Sequence, residues 1–156
     1  MMSVEDNKLT VRRLIEAHNR QDAAAAAACF ADGASNHGRV AGPKRMAEVY
    51  RSLYSVFPDY HWDLQVLLAE EAWVCAQVMM TGTHRGSPAL PVLGGLIHSA
   101  RPTGKSVSVL NIHVYRMAAG LTAEHSAARD DLGMMQQLGL LPATSHDAGD
   151  TSRPGL

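Results

Sequence analysis

This sequence predicts an α+β fold: three helices first, then a meandering antiparallel sheet, then one short helix near the C-terminus. Three observations carry that expectation. Apolar residues recur at helical spacing as far as Phe57, the period falls to two from His61 onward, and the late strands are separated by turn residues and not by further helices. Three helices can cover the concave face of one curved sheet, and every second residue of each strand then lines a pocket.

The first helix is read from "SVEDNKLTVRRLIEAHNRQ", where Val11, Leu14, Ile15 and His18 share a face behind an acidic first turn that suits the helix dipole. Asp22 can cap a second, alanine-rich helix, "AAAAAACFA", which the Asp32-Gly33 pair is expected to end. "SNHGRVAG" reads as a short extended or loop segment. Pro43 suits the first turn of a third helix whose apolar face is Met46, Val49, Tyr50, Leu53 and Phe57, and Pro58 ends it.

Strands follow in "HWDLQVLLAE", "AWVCAQVMMTGTHRG" and "KSVSVLNIHVYRM", with "GLTAEHSAA" as the return strand of the last pair. Between the second and third lies "SPALPVLGGLIHSARPTG", whose three prolines and three glycines make it a long loop of the kind that is usually functional. Asp130 can cap the terminal helix "DLGMMQQLG". Residues 1–142 form one domain on this reading, and the polar "ATSHDAGDTSRPGL" at 143–156 reads as a disordered tail.

The chain has 156 residues, 46% hydrophobic and 19% charged, which suits a single globular domain with a sizeable core. Fourteen basic and fifteen acidic residues give a net charge of −1, with no basic stripe to bind nucleic acid. No apolar run approaches the roughly 20 residues that span a bilayer, and the acidic N-terminus has no apolar core of a signal peptide. Cys29 and Cys75 stand apart, without metal or redox spacing. A reduced, cytoplasmic protein without a disulfide is therefore expected.

Function is sought in the last hairpin. A two-residue loop would need positive φ at Ala119, whereas a three-residue loop, Ala118-Ala119-Gly120, needs it only at glycine. That loop pairs Met117 with Leu121, so His113 is expected opposite His125, Asn111 opposite Ala127, and Tyr115 opposite Ala123. One face then gathers Asn111, His113, Tyr115 and His125, while Leu110, Ile112, Val114 and Arg116 form the other. Polar side chains collected on one sheet face stand either in solvent or in a pocket.

These residues resemble a known family. "NHG", "GPKRM" opening a helix, "FPDYHWDLQVLLAEEAWV", "TGTHRG", "PTGK" and "LGMMQQLGLLP" are similar, in order and spacing, to the SnoaL-like polyketide cyclases of the nuclear-transport-factor-2-like superfamily, over roughly residues 8–142. The resemblance implies a cone-shaped α+β fold with the three helices on the concave face of the sheet. It also implies a homodimer paired through the outer face, and chemistry without metal or organic cofactor. In such cyclases an aspartate on the last strand removes a proton from an activated methylene, and the enolate closes a ring by aldol attack. His113 matches the histidine of the preceding strand that stabilises charge, His125 the histidine before the aspartate, and Asn111 a polar pocket residue. The aspartate position falls on Ala127, and the 87–104 loop is longer than the resemblance leads one to expect.

The expected site is therefore catalytic His113 and His125, with Asn111, Tyr50, His37, Tyr115 and Ala127 at the substrate. Either histidine can act as base and the other as donor, since imidazole titrates near pH ~6.5. The plainer alternative is a cross-strand pair satisfied by backbone and water. His18 is read as a core histidine, His84 as a strand-end residue and His98 as an exposed loop residue. Asp130 and Asp131 are candidate replacement acids but follow the strand directly and suit helix capping. Met79, Met80, Met134 and Met135 read as apolar filling. The expected partner is a hydrophobic small molecule, and the leading function is cyclisation or isomerisation of a polyketide or similar flat metabolite. A non-catalytic binding protein of the same fold, or an epoxide or ester hydrolase, stays open beside it.

Overall fold

The computed structural model describes residues 2–142, so the tail expected at 143–156 lies outside the described residues. Four helices and six strands follow one another as α1 (Val4–Asn19), α2 (Ala23–Ala27), β1 (Phe30–Asn36), β2 (Arg39–Val40), α3 (Pro43–Val56), β3 (His61–Glu70), β4 (Trp73–Thr83), β5 (Ser106–Ala118), β6 (Leu121–Arg129) and α4 (Asp131–Gln137). The strands form one curved, unclosed sheet in the order β2-β1-β6-β5-β4-β3. All neighbours are antiparallel except β1 and β6, which run parallel. The α+β architecture is the expected one. Among the described residues no helix is long and apolar enough to cross a membrane.

Local chemistry accounts for the helix ends. Ser3 and Asp6 form a reciprocal capping box at the start of α1, Asp22 accepts from Ala25 N, and Pro43 opens α3. The buried faces of α1 and α3 then meet over the sheet. Val11, Leu14 and Ile15 pack with Met46, Tyr50 and Leu53 in one core that also takes Phe30, Phe57, Trp62 and Tyr115. Cys29 and Cys75 are unpaired.

Two expectations are corrected. The alanine-rich helix stops at Ala27, and the Asp32-Gly33 pair lies inside β1 and ends nothing. Burial decides this: Phe30 is in the core, and the segment after it pairs with β6 from Phe30 to Asn36, which outweighs a local turn signal.

The second correction is the hairpin register. The loop has two residues, not three: Ala119 adopts φ +48° and Gly120 φ +79°, and Ala118 pairs with Leu121. A left-handed alanine costs roughly 1 kcal/mol, but this turn matches the twist of the flanking strands. A bulge in β6 follows, since Arg116 pairs with Glu124 while Met117 pairs with Thr122. Turn and bulge each move the register by one residue. Because the sum is two, side chains beyond the bulge keep their expected face, while between turn and bulge Thr122 replaces Leu121 opposite Met117 and is buried, leaving Leu121 exposed. The partners change, however: Tyr115 lies opposite His125, His113 opposite Ala127, and Asn111 opposite Arg129.

Candidate functional site

Inside the sheet, a cavity of about 210 Å³ is bounded by β5, β6, the end of β1, α1, α3 and the 87–104 loop. Of the residues expected at the site, His37, Tyr50, Asn111, His113, Tyr115 and His125 all line it. Ala127 lies across the ladder from His113 but is not among the lining side chains. His18, read from sequence as core, is both buried and part of the wall.

Alternation along β5 turns Asn111, His113 and Tyr115 inward, each at most 5% exposed. Asn111 Oδ1, His113 Nε2 and the Tyr115 hydroxyl are buried with no hydrogen-bond partner among the described residues. An unsatisfied buried polar group costs roughly 1–3 kcal/mol. Three in a row on one strand face, all on a cavity wall, make this the side of the cavity with free capacity for hydrogen bonds.

Behind this strand the histidines are joined. His113 Nδ1 lies 3.0 Å from His125 Nε2, and His125 Nδ1 lies 2.7 Å from Asn36 Oδ1. The opposed residue is Tyr115, so the two imidazoles meet along the diagonal of the ladder, which long side chains can span. The parallel pairing of β1 with β6 brings Asn36 beside His125, and His37 N donates to the His125 carbonyl at 2.8 Å. An amide oxygen only accepts, so His125 Nδ1 carries the hydrogen and its Nε2, in the neutral ring, accepts. His113 Nδ1 is then the donor, and the lone pair of His113 falls on Nε2, the orphaned atom at the cavity.

All of these rings are held neutral. Burial lowers the pKa of His18 to about 3, helped by the charge of His125. Burial likewise lowers that of His113 to about 3, assisted by His18, Arg129 and His37. His125 is pushed well below its usual range by burial and by His113, and His37 is lowered by burial and by Arg129. Burial also raises the Tyr50 and Tyr115 phenols, so both remain protonated donors. Aromatic faces complete the wall: Trp62 lies 4.3 Å from His113 and 4.4 Å from His18, ring centre to centre, and Tyr115 stacks on His125 at 4.9 Å.

Several lining residues went unread in the sequence. Arg129 is the next inward position after His125 and Ala127, so extending the alternation by one step would have found it. Asn36 needed the β1–β6 pairing, which no local pattern announces. Pro91, Val92, Leu93 and Gly94 of the long loop also line the cavity. That loop is anchored at both ends. Ser52 Oγ donates to the Leu90 carbonyl and accepts from Leu90 N, 3.0 Å each, and Thr103 N donates to His84 Nδ1 at 3.2 Å.

The remaining candidates lie elsewhere. Asp130 caps α4 by accepting from Gly133 N, Asp131 pairs with Arg129, and neither lines the cavity. His84 is buried beside Phe57, His98 is exposed, and Met79, Met80, Met134 and Met135 are outside the lining. Among the described residues no group of three His, Cys, Asp or Glu side chains is placed to hold a metal ion.

The neutral histidines link stability to pH. The folded pKa of His18 and of His113 lies below the roughly 6.5 of an unfolded chain, so the unfolded state binds more protons in that window. Their contribution is complete above about pH 6.5 and is lost as pH falls toward about 3. Between pH 7 and pH 5 each costs about 2 kcal/mol of stability. Urea-unfolding midpoints at the two pH values check this: a lower midpoint at pH 5 is expected, and an unchanged one contradicts the neutral state of the buried rings.

Comparison with known proteins agrees with the architecture. The family model of the SnoaL-like polyketide cyclases matches residues 8–138. Among solved structures, TsrD from Streptomyces laurentii superposes with a TM-score of 0.77 at 23% identity, covering 90% of this chain and 100% of that one. AclR from Streptomyces galilaeus, provisionally assigned as a hydroxylase, gives 0.76 at 22% identity over 94% of this chain and 88% of its own. IdmH from Streptomyces antibioticus, provisionally assigned as a polyketide cyclase, gives 0.68 at 22% over 85% and 98%. No curated protein matches the sequence. At these identities the structural neighbours speak for the fold, while the family match runs through most of the chain from α1 to α4. The chain belongs to the SnoaL-like polyketide cyclase family.

Proposed function

We propose that this protein is a cofactor-independent cyclase or isomerase that acts on a polyketide or similar flat, oxygenated metabolite, with His113 as general base. The observation that carries this reading is the orphaned His113 Nε2 at the cavity wall, with its other nitrogen tied through His125 to Asn36. In this mechanism Nε2 removes a proton from a carbon next to a carbonyl. The resulting imidazolium is steadied through Nδ1–H by His125, and the enolate attacks a second carbonyl of the same molecule or is reprotonated elsewhere. Asn111 and the Tyr50 and Tyr115 hydroxyls stand where they can hold carbonyl or phenol oxygens. The aromatic wall of Trp62 and Tyr60 suits a flat guest.

A base with a pKa of about 3 is weak while the cavity holds no anion. Proton removal itself creates one. An enolate about 4 Å from the imidazolium, at an effective dielectric near 20, is worth about 4 kcal/mol, or roughly a thousandfold in proton affinity. Base strength thus rises as the carbanion forms, which favours the transition state over the ground state.

Ala127 stands where the family resemblance puts the acid, directly across from His113. On the present reading the histidine relay has taken over that role. The other consequence of Ala127 is a protein that binds without turnover. Among the described residues no carboxylate lines the cavity, which favours a histidine base over epoxide or ester hydrolysis by paired acids. Two unpaired cysteines support a reducing, cytoplasmic setting.

The outer face of the sheet supports a homodimer: Leu68, Trp73, Leu110 and Ile112 are exposed on neighbouring strands. Sedimentation equilibrium is expected to give twice the chain mass at micromolar concentration, and a monomer there overturns the assignment.

The catalytic reading is tested with a polyketide methyl-ester cyclisation substrate and mass-resolved products. Wild type is expected to turn over and His113→Ala to lose at least about a hundredfold, the usual worth of a general base, while keeping its circular dichroism spectrum. Wild-type-like turnover in His113→Ala refutes the base. Turnover by Ala127→Asp alone identifies the natural protein as a binder.

A further inference from the structure

We propose that the cavity takes its substrate by an anionic oxygen, held by the Arg129 guanidinium beneath the 87–104 loop, so that the natural substrate is a small acidic, enolisable compound of one or two rings. This rests on the reading of the cavity as the site of a general base and names the class of molecule that base serves.

Charge is the first argument. Among the described residues lining the cavity, Arg129 is the one permanently charged side chain, and no aspartate or glutamate joins it there. Its side chain is only 15% exposed. Its one carboxylate partner among the described residues is Asp131, which sits outside the lining and is itself 39% exposed.

Geometry is the second. Asp131 takes Arg129 from the side, accepting from Nε at 3.0 Å and from Nη2 at 3.4 Å. A guanidinium presents five N–H groups in a planar fork. The end-on edge, formed by Nη1 and the second hydrogen of Nη2, has no partner among the described residues and matches a carboxylate or an enolised 1,3-dicarbonyl bidentately. Above it the loop comes close. Gly94 adopts φ +69°, and a Cβ built there would stand 3.8 Å from Arg129 Nη2. Gly94 thus lies beside the guanidinium, and the low exposure of the Arg129 side chain strengthens any ion pair formed there.

The third argument is the coupling of the two ends. Arg129 pairs across the ladder with Asn111, one inward step from His113, and its charge lowers the proton affinity of His113, His125 and His37 alike. An anion on Arg129 cancels that contribution, which is smaller than the effect of burial, and raises the basicity of His113 by that part. A substrate carrying its own acid group therefore strengthens the base that acts on it more than the matching neutral ester or amide, which reacts more slowly. Size supplies the ring count: about 210 Å³ falls below the roughly 300–1,000 Å³ of sites for drug-sized ligands.

The test uses 2-naphthoate and its neutral isostere 2-naphthamide, titrated calorimetrically into the full chain at pH 7. Wild type is expected to bind the acid at least about tenfold more tightly than the amide, as a charge-assisted bidentate contact implies. Arg129→Gln should lose that preference and leave amide binding within about twofold, so amide binding also reports that the variant is folded. His113→Gln should retain it. Equal affinity of wild type for acid and amide overturns the proposal without any variant, as does an equal loss of both in Arg129→Gln. Binding of neither probe overturns the assigned size and charge. Acid preference concerns Arg129 and turnover concerns His113, so either assignment can fail while the other stands.

Discussion

A buried imidazole cannot be left without partners, and the line from Asn36 through His125 to His113 is how this fold meets that constraint. Each link is a hydrogen bond of 2.7 to 3.0 Å, and each fixes the tautomer of the next ring. Because the line begins at an amide oxygen, which only accepts, it ends in a lone pair. Much of the molecule serves this line. The parallel seam between β1 and β6 delivers Asn36, the β6 bulge aligns His125 with Tyr115, and the rings of Trp62, Tyr115 and His18 exclude water from it.

The same arrangement underlies the proposed function, in which a cavity with no carboxylate among its described lining residues acts on a carbon acid. Buried neutral rings are poor bases in isolation, and Arg129 makes them poorer. Negative charge offsets these handicaps in part, whether it comes as the enolate of the proposed reaction or as an acid group that the substrate brings. A carboxylate at position 127 would offer a stronger base at once, but it would also face His113 directly and hold it protonated, which ends the relay. Ala127 is thus consistent with a site in which the histidine, and not an acid, takes the proton.

Much of the fold was legible because it is written in periods. β3 matches its predicted stretch residue for residue, β5, β6 and α4 agree within two residues, and β4 stops three residues before the end of its stretch, close to the usual scatter of element ends. The inward face of β5 was read from alternation alone, and Asn111, His113 and Tyr115 do line the cavity. What escaped was non-local or strained. Ala119 in a left-handed turn is disfavoured by its own chemistry and is accepted because the strands it joins demand that twist. A bulge at Ala123 leaves no signature in composition, and the pairing of β1 with β6 joins segments about ninety residues apart. His125 kept its place at the cavity despite the wrong partner because two one-residue errors summed to an even number. Arg129 was missed for a simpler reason: the strand runs one residue beyond the stretch read as its end.

The most direct measurement is the tautomeric state of the histidines, read from nitrogen-15 chemical shifts and long-range proton–nitrogen couplings of the uniformly labelled protein at pH 7. The account predicts that His125 and His113 are both neutral with hydrogen on Nδ1, leaving Nε2 of His113 unprotonated at the cavity. A proton on His113 Nε2 would mean that the relay runs the other way, from the Asn36 amide nitrogen outward. His113 would then be a hydrogen-bond donor, and the central claim of a histidine base would be contradicted.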